Sequence, residues 1–165
     1  MNTLTQPLRD EHKELIPHIE QMLKVADSLP DAPQEQIREG VQEVYEFLAY
    51  HLIPHAQAED ATLYPTVQKV LGSPDATRTM SRDHVEVGRY VEELAGLQQD
   101  LSTQSFKSLQ RVLYGVYALV KVHFAKEEEV YLPILEARLS AEEATEMFEA
   151  MERAAGQFKQ AVHVH

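Results

Sequence analysis

Two segments of the chain repeat one another. Residues 55–65 have the sequence HAQAEDATLYP, and residues 123–133 have the sequence HFAKEEEVYLP. Aligned, they place histidine on histidine, Glu59 on Glu127 and proline on proline, so both contain the spacing H-x-x-x-E. An internal repeat indicates that one structural unit occurs twice. Any fold of this chain must therefore place the two segments in equivalent environments.

The repeat extends into the segment that precedes each copy. Residues 11–14 (EHKE) and 83–86 (DHVE) share the pattern acid-His-x-Glu. His12 precedes His55 by 43 positions, and His84 precedes His123 by 39. The nearly equal spans predict a duplicated helical hairpin.

Apolar residues recur at intervals of three and four along long stretches of the chain, which predicts amphipathic helices. We expect one helix over about 8–29 and a second after the loop at 29–33. The second helix is expected to end before Pro65 and to resume for about a turn up to Gly72. Two more are expected over about 74–101 and 103–139, and a short one over 141–158. No segment has the alternation that a strand requires. The prediction is an all-α, up-down-up-down four-helix bundle (about 6–139) with an additional short C-terminal helix, in a single domain over 1–165.

Capping residues predict several helix ends. Gly72 is expected just after a helix, where a left-handed backbone is common. Ser73 is expected to be the N-cap of the third helix, with Pro74 at its first position. Ser140 and Glu143 have the spacing of a capping box, which predicts the start of the fifth helix.

Composition excludes several classes of protein. The 165 residues include no cysteine, which excludes disulfides, iron–sulfur clusters and thiolate zinc sites. The formal charge of -12 opposes binding to nucleic acid. The N-terminal residues lack the basic start and apolar stretch of a signal peptide, and no segment has the length of a membrane span. We therefore expect a cytoplasmic protein without nucleic-acid or membrane partners.

Four histidines and two glutamates of the repeat are candidate metal ligands. A four-residue step in a helix advances about 6 Å and returns to nearly the same face, so both members of each pair point together. Imidazoles and carboxylates without softer ligands suit iron or manganese, and iron is preferred here. A carboxylate shared by two cations also avoids the cost of burying an unpaired charge. The six predicted ligands are His12, His55, Glu59, His84, His123 and Glu127.

Two roles without a metal ion are also compatible with these residues. A single H-x-x-x-E pair is common as a surface interaction, and a bundle can also contain hydrogen-bonded core histidines. Leu52 and Ile53 precede His55, and Phe124 follows His123, which favours burial of both pairs. The E-x-x-H pairs of ferritin-like di-iron proteins and the H-E-x-x-H motif of zincins do not occur in the chain.

Several polar residues nearby have open roles. His51 is either a further ligand or, as its distance of about 12 Å along the helix axis from Glu59 favours, a residue that orients ligands or lines a pocket rim. Tyr64 and Tyr131 are candidates to donate hydrogen bonds to the site. Acidic residues near the ligands either orient imidazoles or are solvated: Glu11, Glu14, Asp60, Asp83, Glu86 and Glu128. Histidines without a repeat partner are expected at the surface: His18, His163 and His165.

The pattern His12, His55-x-x-x-Glu59, His84, His123-x-x-x-Glu127 resembles that of the hemerythrin-like, or HHE cation-binding, family. The resemblance covers about residues 8–135. It implies a four-helix bundle around two iron ions with the four histidines as terminal ligands. It also implies that the two glutamates and an oxo or hydroxo group bridge the ions.

One position departs from the oxygen-carrying hemerythrins. They have a second histidine four residues after the third-helix ligand, whereas the residue four after His84 is Gly88. With four terminal histidines each iron keeps a position open to a small ligand, which puts reversible oxygen carriage in doubt. We expect a non-haem di-iron protein that binds or reacts with oxygen, peroxide or nitric oxide, and the sequence does not decide whether it is an enzyme. The alternatives are iron storage, delivery or sensing without turnover, and a helical interaction module without metal.

Overall fold

The computed structural model describes residues 3–162, and the regular structure of these residues is entirely helical. The predicted all-α class is therefore confirmed. Five helices follow one another: α1 (Gln6–Ser28), α2 (34–71), α3 (Arg78–Leu97), α4 (106–138) and α5 (Ala141–Val162). Helix α2 comprises the α-helical segments Gln34–Phe47, Ile53–Ala58 and Tyr64–Leu71, and helix α4 comprises Phe106–Lys126 and Leu132–Arg138. His163 and His165 lie outside the described residues.

Three π-helical turns join the segments of α2 and α4: Leu48–Leu52, Glu59–Leu63 and Glu127–Tyr131. The residue after each turn donates its backbone N–H to the carbonyl five positions back, as Tyr64 does to Glu59, and a proline comes next. Proline has no N–H and its ring clashes with the carbonyl four positions back, so the wider turn lets the helix continue past it. The predicted break before Pro65 is therefore wrong, because α2 continues to Leu71.

The end of α2 and the start of α3 differ in part from the prediction. Gly72 is left-handed (φ 63°) and ends α2 as expected. The N–H of Ser73 donates to the carbonyl of Gln68 (3.0 Å), which completes a Schellman motif. Ser73 thus belongs to the end of α2. Helix α3 begins only at Arg78, after the N-cap Thr77, so the predicted N-cap at Ser73 is wrong.

The capping box of α5 is confirmed. The N–H of Ser140 donates to Oε2 of Glu143 (2.9 Å), and the N–H of Glu143 donates to Oγ of Ser140 (3.2 Å). Helix α5 extends to Val162, beyond the predicted end near 158, and α3 ends at Leu97 rather than near 101.

In the part of the chain that the structure describes, none of the helices has both the length and the hydrophobicity of a membrane span.

The helices pack as a bundle around two apolar clusters. Helices α1 and α3 each contact both α2 and α4, and α5 contacts the middle of α2. The larger cluster has members from the first four helices, among them Ile19, Leu52, Val87 and Phe124. The smaller cluster also includes α5 and has among its members Leu8, Leu63, Met80, Leu132 and Met147. On each of α1 to α4 the predicted ligands fall between the two clusters, so a buried polar layer separates them.

Candidate metal centre

The structure brings all six predicted ligands together in this polar layer. Helix α1 contributes one of them, α2 two, α3 one and α4 two: His12; His55 and Glu59; His84; His123 and Glu127. The side chain of His84 is 10% exposed, and the other five are buried further. Six polar side chains this deeply buried need partners within the layer.

Two carboxylates occupy the centre of the layer, and two histidines lie on one side of them. Nε2 of His55 is 2.9 Å from Oε1 of Glu59, and Nε2 of His12 is 3.9 Å from the same oxygen. Nε2 of His12 is also 3.3 Å from Oε2 of Glu127. We call His12 and His55 the first histidine pair.

The second histidine pair, His84 and His123, faces the other oxygens of the same carboxylates. Their Nε2 atoms lie 3.2 and 3.9 Å from Oε2 of Glu59. Nε2 of His123 is 3.4 Å from Oε1 of Glu127. Each carboxylate thus directs one oxygen towards each histidine pair, which is the geometry of a bridging ligand.

The layer contains buried polar atoms that no protein group satisfies. Among the described residues, six buried side-chain atoms have no hydrogen-bond partner: Nε2 of His12, both ring nitrogens of His55, both oxygens of Glu59 and Oε2 of Glu127. Nδ1 of His55 lies 3.0 Å from Oε1 of Glu11 but is misaligned for a hydrogen bond. Each unsatisfied buried group costs about 1–3 kcal/mol. Cations bonded to these lone pairs would remove that cost.

The positions of the donor atoms fit two cations. Three ligand atoms within 4.8 Å of one another come from His12, His55 and Glu59, and three more come from Glu59, His84 and His123. Glu59 belongs to both groups through its two oxygens. Nitrogen and carboxylate donors in this proportion suit a transition metal such as iron.

Each ligand imidazole also has a carboxylate beside its outer nitrogen, and these contacts join different helices. Nδ1 of His12 lies 3.0 Å from Glu128, Nδ1 of His55 3.0 Å from Glu11, Nδ1 of His84 2.8 Å from Asp60 and Nδ1 of His123 3.0 Å from Asp83. A carboxylate at Nδ1 favours the tautomer with the proton on that nitrogen, which leaves the Nε2 lone pair for a metal.

These outer carboxylates follow the repeat. Asp60 and Glu128 occupy equivalent positions, as do Glu11 and Asp83, so each histidine pair has one carboxylate of each kind. Of the two roles left open for Asp60 and Glu128, solvation or contact with an imidazole, the structure shows contact with an imidazole of another helix. Two other acidic residues considered from the sequence point elsewhere: Glu14 is exposed, and Glu86 pairs with Arg82.

The charges of the layer balance through protonation when no cation is present. Burial by itself lowers the pKa of an imidazole, but the nearby carboxylates of Glu127 and Glu59 outweigh it and raise the pKa of His12 to about 9 and that of His123 to about 10. Burial raises the pKa of a carboxyl, yet the charge of His55 holds the pKa of Glu59 well below its usual value. Metal ions and protons therefore compete for the same nitrogens.

Of the two candidate tyrosines, only Tyr64 reaches the site. Its buried hydroxyl donates to Oε1 of Glu127 (2.7 Å) and lies 3.1 Å from Nε2 of His123 and 3.3 Å from Nε2 of His84. The hydroxyl of Tyr131 donates instead to the carbonyl of Ala76 (2.9 Å), so its predicted role at the site is wrong.

Phe124 is a site residue that sequence reasoning treated only as core. Its ring stacks on His12 with centroids 4.0 Å apart and planes 7° apart. The repeat offered a signal, since the equivalent position in the first copy is the small residue Ala56. A large ring in one copy only indicates that the two histidine pairs have different surroundings.

The two described histidines outside the repeat, His18 and His51, lie away from the layer. His51 is exposed, stacks on Phe47 at 6.3 Å and lines a surface cleft with Glu43. This position at the surface fits the pocket-rim interpretation of His51 rather than direct ligation. His18 is exposed, as expected, lines the same cleft and stacks on Phe47 (4.8 Å).

Comparison with known proteins agrees with this chemistry. The family model of the hemerythrin HHE cation binding domain matches residues 3–135, which include all six candidate ligands. No curated protein and no solved structure matches the chain.

Proposed function

The chain belongs to the hemerythrin HHE cation-binding domain family, and from this premise we propose that it is a non-haem di-iron protein that binds or reacts with a small oxidant. The oxidants considered are oxygen, peroxide and nitric oxide. The observation that carries the proposal is the pair of buried carboxylates, Glu59 and Glu127, each with one oxygen towards each histidine pair. In this proposal both glutamates bridge, and the four histidines are terminal ligands.

Two ions are proposed because the donor atoms form two groups, one with His12 and His55 and one with His84 and His123, and both groups share Glu59. An ion between His12 and His55 does not reach the Nε2 atoms of His84 and His123, which lie on the far side of the carboxylates. Iron is proposed because the donors are nitrogen and oxygen only and the chain has no cysteine. An oxo or hydroxo bridge between the ions belongs to the same proposal.

The proposed architecture around the centre is an up-down-up-down bundle of α1 to α4, with α5 added outside and the whole chain forming one domain. Contacts between helices support it. On α1 and α4, His12 contacts Glu128 and Glu20 contacts Lys121, which supports an antiparallel pair because residue numbers rise on one helix and decrease on the other. The contacts of Asp60 with His84 and of Gln42 with Gln98 support the same arrangement for α2 and α3.

The protein side chains have distinct roles around the proposed ions. When bound, iron supplies Lewis-acid and redox chemistry for a small oxidant. Glu59 and Glu127 neutralise the cations, and the outer carboxylates hold each imidazole with Nε2 facing inward. Phe124 and the two apolar clusters exclude water above and below the layer, which strengthens every electrostatic interaction within it.

The residue at position 88 favours reaction over reversible oxygen carriage. Gly88 has no side-chain donor, so the position four residues after His84 adds no ligand, and apart from its own stretch of helix no heavy atom lies within 4 Å of where its Cβ would stand. A second candidate is iron storage, delivery or sensing without turnover. The exposure of Glu11 and Asp60 favours this second candidate. Their side chains are 40% and 39% exposed and lie beside buried imidazoles, so metal ions can reach the site from solvent and exchange. Either protein is proposed to be cytoplasmic.

Anaerobic reconstitution with iron(II), followed by metal analysis, tests the proposal. We expect about two irons per chain and, after oxidation, near-ultraviolet oxo-to-iron absorption that disappears on reduction. Oxygen, nitric oxide and peroxide are then added separately to the reduced protein. Many cycles of peroxide consumption without metal loss support the reactive protein, and release of iron on reduction supports storage or delivery. Absence of stoichiometric metal after reconstitution contradicts both.

A further inference from the structure

The repeat makes the two halves of the centre nearly equivalent, but one position breaks the symmetry. The residue that follows the π turn is Tyr64 in the first copy and Leu132 in the second. Both are buried, with 1% and 0% of their surface exposed. A phenol and a hydrocarbon thus occupy equivalent places in the fold.

The hydroxyl of Tyr64 lies close to three candidate ligand atoms. It donates to Oε1 of Glu127 at 2.7 Å, and Nε2 of His123 and Nε2 of His84 lie within 3.3 Å. These two Nε2 atoms lie 3.0 Å from each other, and Asp83 and Asp60 lie beside the Nδ1 atoms of the same rings. When both imidazoles are neutral with the proton on Nδ1, the two Nε2 lone pairs and the phenol oxygen converge on one place, where a cation would bind all three.

The first histidine pair has no such oxygen. Leu132 has no polar side-chain atom, and the ring of Phe124 covers His12. In the first copy the position equivalent to Phe124 is Ala56, which has no ring to stack on an imidazole. Beyond the shared carboxylates, the protein therefore offers an extra oxygen to the second pair and the ring of Phe124 to the first.

We propose that the phenol oxygen of Tyr64 binds the metal ion held by His84 and His123. The ion held by His12 and His55 then has fewer protein ligands and is the one that takes a small molecule. This inference rests on the proposed di-iron function. Without a cation the neutral phenol donates to Glu127. When the oxygen binds metal, the phenol releases one proton to the buffer, in addition to the protons that metal displaces from the imidazoles.

Spectroscopy of the iron(III) protein tests the assignment. A phenolate bound to iron(III) gives a broad visible charge-transfer band and enhanced ring vibrations in the resonance Raman spectrum. We expect both in the wild-type protein and in Tyr131→Phe, the matched control whose hydroxyl lies away from the site. We expect both to be absent from Tyr64→Phe while its iron content stays near two per chain. Persistence of the band in iron-loaded Tyr64→Phe overturns the proposal.

The same assignment can be tested on the wild-type protein alone, without the Tyr64→Phe variant. Protein grown with ring-deuterated tyrosine shows shifted ring vibrations if a tyrosine binds iron, even where Tyr64→Phe does not fold. Wild-type protein with two irons and no tyrosine-dependent band overturns this proposal alone. Wild-type protein that binds no iron contradicts the proposed function as well.

Azide provides a second readout of the difference between the two ions. Titrated into the iron(III) wild-type protein, it is expected to bind once per centre. In Tyr64→Phe the second ion loses its extra ligand, so the stoichiometry is expected to rise towards two. Binding of two azides by the wild-type protein contradicts the proposed inequivalence.

Discussion

Replacement of Glu127 by glutamine tests the bridging role of this residue most directly. Glu127 is fully buried and faces His12 at 3.3 Å and His123 at 3.4 Å through different oxygens. Glutamine keeps the volume of the side chain but has no charge and only one acceptor oxygen. It therefore cannot direct an oxygen to each histidine pair. We expect the iron content of Glu127→Gln to fall from about two per chain to one or none.

The size of the accompanying loss of stability follows from the same contacts. At free iron 100 times above its dissociation constant, each bound ion stabilises the wild-type protein by about 2.7 kcal/mol, so the two proposed ions together contribute about 5.4 kcal/mol. For a chain of this length each ion raises the melting temperature by about 5–11 °C. The variant should lose most of this shift. In the metal-free state the hydrogen bond that Tyr64 donates to residue 127 becomes a neutral one, which should cost the variant about 1 kcal/mol.

Iron analysis combined with thermal melting, with and without a chelator, measures both effects. The matched control is Glu129→Gln, which removes the same charge from an exposed position on the same π turn. The control should keep its iron and its metal-dependent shift. If Glu127→Gln retains two irons and the full shift in melting temperature, Glu127 does not bridge and the proposed centre is wrong.

Three further predictions concern the surroundings of the centre. Asp60→Asn should lower metal affinity by about 10–100-fold in chelator competition, because the outer nitrogen of His84 loses its carboxylate; unchanged affinity would show that this contact is incidental. In the metal-free protein the raised pKa values of His12 (about 9) and His123 (about 10) stabilise the fold fully below the ordinary value of 6.5. Urea unfolding should therefore show stability decreasing as the pH rises from 6.5 through 9 to 10, and a constant or increasing stability would contradict the shifts. Ser140→Ala should cost about 1 kcal/mol in urea unfolding through loss of the cap on α5. Its iron content should stay unchanged, and iron loss would show that α5 helps to form the site.

The candidate ligands were predictable because their signal is local. The four-residue step within each H-x-x-x-E pair places both side chains on one helix face, and the repeat shows that two such faces are alike. The outer carboxylates were harder to assign. Asp60 reaches His84 from another helix, and residues with the same charge, such as Glu14, are simply exposed. Only the packing of helices distinguishes the two cases.

The π turns explain why Tyr64 faces the centre although regular α-helical spacing would direct it away. Over the five residues from Glu59 to Tyr64 an α-helix turns about 500°, which would place the tyrosine about 140° away from the glutamate. A turn closed by an i to i+5 hydrogen bond rotates less per residue, so Tyr64 stays on the inner side. The prolines signal where helical geometry is disturbed, but regular spacing does not predict that the helix widens instead of breaking.

The sequence by itself determined the helical class, the six candidate ligands and their duplication, because these depend on residue type and periodicity along single helices. The tertiary structure decided which carboxylate oxygen faces which histidine pair, which acids hold the imidazoles, and that Tyr64 faces one pair while Leu132 is its counterpart. These features depend on distances between side chains of different helices, and on the widened turns that set the orientation of each side chain. Composition and spacing do not specify such distances until the helices are packed.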